Sequence, residues 1–168
     1  MQRRSRWLGL VCLGLLGVVS GCATDETGVG YLDVADLGNP PLSGNFTGKA
    51  VALNGKLALR PNGCVTVVVD GVERVPLWPD GTDVSDVSKD PERSKRYVVK
   101  LPGGLALAVD QTTGAEFSAV GVIDDNSGPF EREPDDPPGK VASFLAFCEV
   151  KDPPVAFKDA TTFAVRGA

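Results

Sequence analysis

Thr47–Trp78 reads TGKAVALNGKLALRPNGCVTVVVDGVERVPLW, and this stretch decides the fold class. Short apolar runs alternate with turn pairs, the pattern of strands and hairpins. Thr47–Leu53 leads into Asn54-Gly55, a strong two-residue hairpin signal. Lys56–Arg60 then returns with Leu57 and Leu59 on one face. Pro61-Asn62-Gly63 turns the chain again. The next run, Cys64–Val69, is almost all β-branched, which fits a central strand buried on both faces. Asp70-Gly71 turns into Val72–Trp78, and Trp78-Pro79-Asp80-Gly81-Thr82 closes the unit. The expectation is three consecutive hairpins, a meander.

Outward from this unit, Asp83–Lys95 is polar and acidic and reads as a loop. Arg96–Leu101, Leu105–Val109 and Glu116–Ile123 supply three further strands, separated by Pro102-Gly103-Gly104 and by Asp110–Gly114. Asp124–Gly139 reads as a second acidic loop. Val141, Phe144, Leu145 and Cys148 then follow the i, i+3, i+4, i+7 spacing of a helix stripe, while a strand would put Val141, Ser143, Leu145 and Phe147 on one face; the short helix is the favoured reading. Pro153-Pro154 ends that unit, and Val155–Val165 offers a last edge strand. Some seven strands with one short helix make the chain mainly β, a sandwich or a small barrel, with an OB-like or Greek-key β-barrel the favoured architecture.

The other end of the chain has a different texture. Arg3, Arg4 and Arg6 precede fifteen uncharged residues, Trp7–Gly21, rich in Leu and Val. This is the anatomy of an export leader. The run stops short of the roughly 20 apolar residues needed to span a bilayer. The segment Val19-Ser20-Gly21-Cys22 resembles the lipobox of bacterial lipoproteins: apolar, small, small, cysteine. The resemblance implies cleavage before Cys22 and a diacylglyceryl group on its thiol. It places the mature chain on the extracytoplasmic side of a cell membrane. The order Gly55–Leu59, Gly63-Cys64, Trp78–Thr82 and Gly103–Leu107 is similar to a group of small exported bacterial β-proteins of unassigned activity. That likeness covers about residues 55–109 and brings no catalytic residues with it.

The expected organisation is a signal peptide over residues 1–21, a flexible tether over 22–45 and a β-rich domain over 46–168. The tether reading rests on sparse apolar residues without a period; Tyr31–Val34 is the part that could dock on the domain. Asn45-Phe46-Thr47 has the spacing of a glycosylation sequon, read here as chance. Export exposes the chain to an oxidising compartment, where the two cysteines beyond Cys22, Cys64 and Cys148, are expected to form one disulfide.

All 22 acidic residues but only 14 of the 17 basic ones follow the leader, so the mature chain carries a charge of −8. That disfavours nucleic acid and leaves membrane attachment to the lipid. The chain contains no histidine. Ser-His-Asp and Cys-His nucleophilic sites are therefore absent, as are histidine-bearing zinc sites. No catalytic, cofactor-binding or metal-ligating residue is assigned. The acidic residues Asp80, Asp83, Asp86, Asp124, Asp125, Glu131 and Glu133 read as solvated loops; calcium binding or a two-carboxylate hydrolase is the sharper alternative. Trp78 has two readings. It plugs one end of the barrel, or with Tyr97 and Phe130 it forms an aromatic face for a sugar, peptide or other small ligand. The function expected from all this is a lipid-anchored, non-enzymatic binding or structural module. Its partners would be the membrane, through the lipid, and a cell-wall component or another envelope protein.

Overall fold

The computed structural model describes residues 30–37, 45–90, 94–124 and 140–166. Cys22, the leader, Phe130 and Asp125–Gly139 lie outside the described residues. The strands are β1 (Leu32–Asp33), β2 (Val51–Leu59), β3 (Val65–Val69), β4 (Val72–Arg74), β5 (Pro76–Trp78), β6 (Asp83–Asp86), β7 (Arg96–Lys100), β8 (Ala106–Asp110), β9 (Glu116–Ile123), β10 (Val155–Ala156) and β11 (Ala164–Arg166). Helix α1 covers Lys140–Cys148. Among the described residues the chain is mainly β, with one short α-helix and one disulfide, as its sequence implies.

The main sheet has the order β1-β5-β10-β9-β2-β3-β4, with β11 added to β9 beside β10. β1 and β10 flank β5 in parallel, while the other neighbours are antiparallel. β4 and β5 stand far apart in this order, yet only Val75 separates them in sequence. The sheet must therefore curl until its two flanks meet. They are joined by the covalent chain and not by a ladder of hydrogen bonds, so the expected closed barrel does not form among the described residues. A second sheet, β6-β7-β8, packs against the first, and the result is sandwich-like.

Two cores follow from the alternation of side chains along strands. One lies between the sheets and holds Leu53, Leu57, Val67, Trp78, Val84, Val99, Leu107, Val109, Phe117, Phe157 and Phe163. The other lies on the opposite face, under α1, and holds Leu32, Leu37, Phe46, Cys64, Val75, Leu77, Val122, Val141 and Cys148. Leu77 and Trp78, neighbours in β5, serve one core each. This is why β5 is buried on both faces.

The sheets meet at a corner made by Gly114 and Ala115. The Leu57 N–H donates to the Ala115 carbonyl at 3.0 Å, and the Ala115 N–H donates to the Ala108 carbonyl at 2.8 Å. One residue pair thus bridges β2 and β8. The preceding turn is organised by Asp110, whose carboxylate accepts from the N–H and hydroxyl groups of Thr112 and Thr113. These bonds, the Thr112 N–H foremost, hold its carboxyl below the usual carboxylate range.

Four expectations need correction. Asn54-Gly55 is not a hairpin: β2 runs straight through it. The reason is packing, because the Phe117 ring lies directly over Gly55, where a Cβ would come within 2.6 Å of Cζ. Asp70-Gly71, the same kind of pair, does turn the chain, with φ of 51° and 80°. Second, Val72–Trp78 is not one returning strand, since the chain leaves β4 at Val75 to enter β5. Third, the loop expected over Asp83–Lys95 begins with β6, which pairs with β7 and buries Val84. Fourth, part of the stretch read as tether belongs to the folded unit. Leu32 is wholly buried, β1 pairs with β5, and Leu37 joins the core under α1. At the other end, Val155–Val165 forms two short strands around a single 3-10 turn, in which the Thr162 hydroxyl accepts the Val120 N–H left unpaired between them.

Candidate functional site

Trp78 and Tyr97, the described members of the expected aromatic face, are both buried; Phe130 lies outside the described residues. Trp78 is 1% exposed and stacks on Phe157, with ring centroids 5.8 Å apart. Phe163 and Phe117 complete the cluster. Tyr97 is also buried; its hydroxyl lies over Gly63, and burial, with the Asp86 charge adding to it, pushes the phenol up. Sequence could place both residues on strands, but strand face is decided by what packs opposite. With a second sheet covering this face, an aromatic cluster is core. Trp78 thus fills the interior between the two sheets.

The acidic candidates separate as well. Asp80, Asp83 and Asp86 are exposed; Asp83 accepts from the Ser85 hydroxyl and Asp86 from the Ser88 N–H and hydroxyl. Asp124 is instead buried. Its two oxygens accept from Asn45 Nδ2 at 2.8 Å and from the Phe46 N–H at 3.0 Å. A buried carboxylate needs such donors. Here it fixes residues 45–46 to the end of β9, and Phe46 sits at φ 53° in the core beside it. The sequon asparagine is thus a structural ligand of Asp124. Among the described residues, no three of His, Cys, Asp and Glu converge to hold a metal ion.

What the geometry leaves open is the outer face of the main sheet. Outward side chains alternate along β2 and β9, so Lys56 lies opposite Glu116, Arg166 of β11 flanks Glu116, and Asn54 lies opposite Ser118. The Lys56 and Glu116 charges are 3.4 Å apart and more than half exposed, so solvent screens most of their attraction. With Asn54, Val68, Asp70 and Gly71, these residues line an open depression of about 280 Å³. It offers two cations, two carboxylates and an amide, and it holds no nucleophile beside a base. In charge and hydrogen-bonding groups it is complementary to a small polar or zwitterionic molecule. These positions become legible once β2 is seen as one strand: Asn54, Lys56 and Glu116 fall on the outward beat of a period of two.

On the same sheet, Arg60 grips Glu73 with two bonds, Nε to Oε1 at 2.9 Å and Nη2 to Oε2 at 2.8 Å, and the Thr66 hydroxyl adds a third at 2.7 Å. The Arg60 hydrogen bonds, outweighing partial burial, hold the Glu73 carboxyl below its usual range. Nearly a third of each side chain is in water, so the pair contributes about 1 kcal/mol. A depressed folded pKa means that this stability is present above the ordinary glutamate value of about 4.3. It is lost as pH falls through the lower, folded value. Glu73→Gln is therefore expected to lower stability by about 1 kcal/mol at pH 7 and to make no difference once both forms are neutral in strong acid. Urea titrations at a series of pH values read this directly; a gap that persists unchanged into acid would contradict it.

No protein-family model, no characterised protein and no solved structure matches this chain.

Proposed function

We propose that the chain is a lipid-anchored protein of the cell envelope, held on the extracytoplasmic side of the membrane. Its β-domain acts as a non-enzymatic binding or structural module. The observation that carries this reading is the leader itself: Arg3, Arg4 and Arg6, the apolar run to Gly21, and the lipobox-like Val19-Ser20-Gly21-Cys22. Two or more acyl chains on one cysteine give stable membrane attachment, where a single chain gives only marginal binding. The Cys64–Cys148 bridge supports the reading, because such bonds form and persist in oxidising compartments. The lack of histidine removes histidine-dependent nucleophilic and zinc sites, which fits a binding or structural role. A ligand of this domain would meet the polar outer face around Lys56, Asp70, Glu116 and Arg166 and not the buried aromatics.

Cells given radiolabelled palmitate are expected to label the protein, and Cys22→Ala is expected to abolish the label and release the protein from the membrane fraction. Retention of the unlabelled variant in membranes would overturn the reading.

A further inference from the structure

The outer face of α1 is unusual for an acidic protein. From Val141 to Cys148 it carries no charge. Val141 and Cys148 point into the core, while Ser143, Ala146 and Phe147 are exposed, Phe147 by 45%. Phe144 stands beside Phe147, with ring centroids 6.1 Å apart. Gly30, the first described residue, lies against Phe144: a Cβ there would meet Phe144 Cε2 at 2.7 Å. The chain coming from Cys22 therefore joins the domain at α1.

Length makes this placement consequential. Seven residues, 23–29, separate Gly30 from Cys22, a path of eight Cα–Cα steps. Fully extended, they reach at most about 30 Å. A domain of this size has a radius of gyration of about 14 Å and is roughly 35 Å across. A lipid on Cys22 would thus hold the α1 side within reach of the bilayer. The far side, where β6–β8 lie across the main sheet from α1, could be brought to it only by a tether long enough to pass around the domain.

Resting on the lipid-anchor reading, we infer that the exposed face of α1 is a membrane-docking surface and that Phe147 enters the interfacial region of the bilayer that holds the lipid. The occupant is the lipid surface itself. An aromatic ring on an uncharged helix face suits that boundary. The acidic remainder of the domain gives no electrostatic attraction, so docking depends on the tether raising the local concentration of the face at the membrane.

The test uses the full, processed lipoprotein in phosphatidylcholine vesicles, with and without brominated acyl chains. Phe147→Trp places a reporter on the face. Val87→Trp places one at another exposed position, just after β6 on the opposite side. The wild-type protein, whose Trp78 is buried, supplies the background to subtract. The added emission of Phe147→Trp is expected to shift to the blue and to be lost with brominated lipid, while that of Val87→Trp stays at its aqueous position. Should Phe147→Trp perturb the helix, Ala146→Trp repeats the measurement one residue away. Palmitate labelling is followed in the same preparations. Normal labelling and vesicle association without any shift at positions 146 or 147 would overturn the docking face and leave the anchor reading standing. Loss of labelling in the wild-type protein would overturn both.

Discussion

Gly114→Ala is expected to cost about 3–5 kcal/mol, the upper end of what single substitutions do. A Cβ at this position would stand 1.8 Å from the Leu57 carbonyl oxygen and 2.7 Å from its carbon. Both are backbone atoms inside β2, so no side chain can swing aside. The corner must open by more than an ångström. Opening it strains or breaks the Leu57–Ala115 and Ala115–Ala108 hydrogen bonds, the bonds that carry one sheet over to the other. Each such bond is worth about 1 kcal/mol net, and more when a buried partner is left unsatisfied. A domain of this size has about 5–15 kcal/mol in hand, so the variant would stand close to unfolding. Gly71→Ala is the right comparison. Gly71 needs a positive φ of 80° but has open space around it, so its substitution should cost only about 1–2 kcal/mol. Urea midpoints of the two variants decide the matter. Equal losses would show that steric contact at the corner is not what holds the sheets together.

Gly114 also shows what a sequence can and cannot announce. It was readable as one more turn residue; its real constraint is a strand that precedes it by more than fifty positions. Asn54-Gly55 carries the same ambiguity for the same reason. The local chemistry of that pair and of Asp70-Gly71 is alike, but only one of them lies under Phe117. Strands bounded by their own turns were legible without help: β3 between Gly63 and Asp70, β7 and β8 around Gly103-Gly104, and β9 with its bounds to the residue. The stripe Val141–Cys148 favours α1 over an alternating strand on the same residues, and α1 is what forms. β6 hid because one inward residue, Val84, is all its alternation offers, with Asp and Ser on either side. Leu32 and Leu37 hid because a sparse polar stretch gains a fold only from the surface it lies on, here the flank of β5 and the underside of α1. The outward face near Lys56 depends on β2 running unbroken through Asn54-Gly55, and the burial of Trp78 depends on the second sheet that covers it.

The second large effect is expected from the disulfide. Cys64 and Cys148 are wholly buried, with Cα atoms 5.5 Å apart, and they join positions 84 residues apart in the chain. Closing a loop of that length removes about 4–5 kcal/mol of conformational freedom from the unfolded chain in the entropy model, and measured losses fall in the range of about 2–5 kcal/mol. A helix of nine residues is too short to persist alone in water. Among the described residues, contacts that help the bridge hold α1 include Val141, Phe144 and Leu145 at the core, the Lys140–Asp36 pair at 2.7 Å, the Asn62 amide on the Phe147 carbonyl at 2.6 Å, and a longer contact from Arg60 to the Glu149 carbonyl. The double variant Cys64→Ala, Cys148→Ala is thus expected to lose about 4 kcal/mol, and the loss should be uneven. Amide exchange should quicken first through Phe144–Cys148, while the β2–β9 ladder stays protected until global unfolding. An unchanged urea midpoint would mean that the bridge only decorates a helix held by its other contacts. Uniform quickening across helix and ladder together would mean that α1 and the curled sheet unfold as one unit. In that case the face carrying Phe147 could not loosen without taking the whole domain with it.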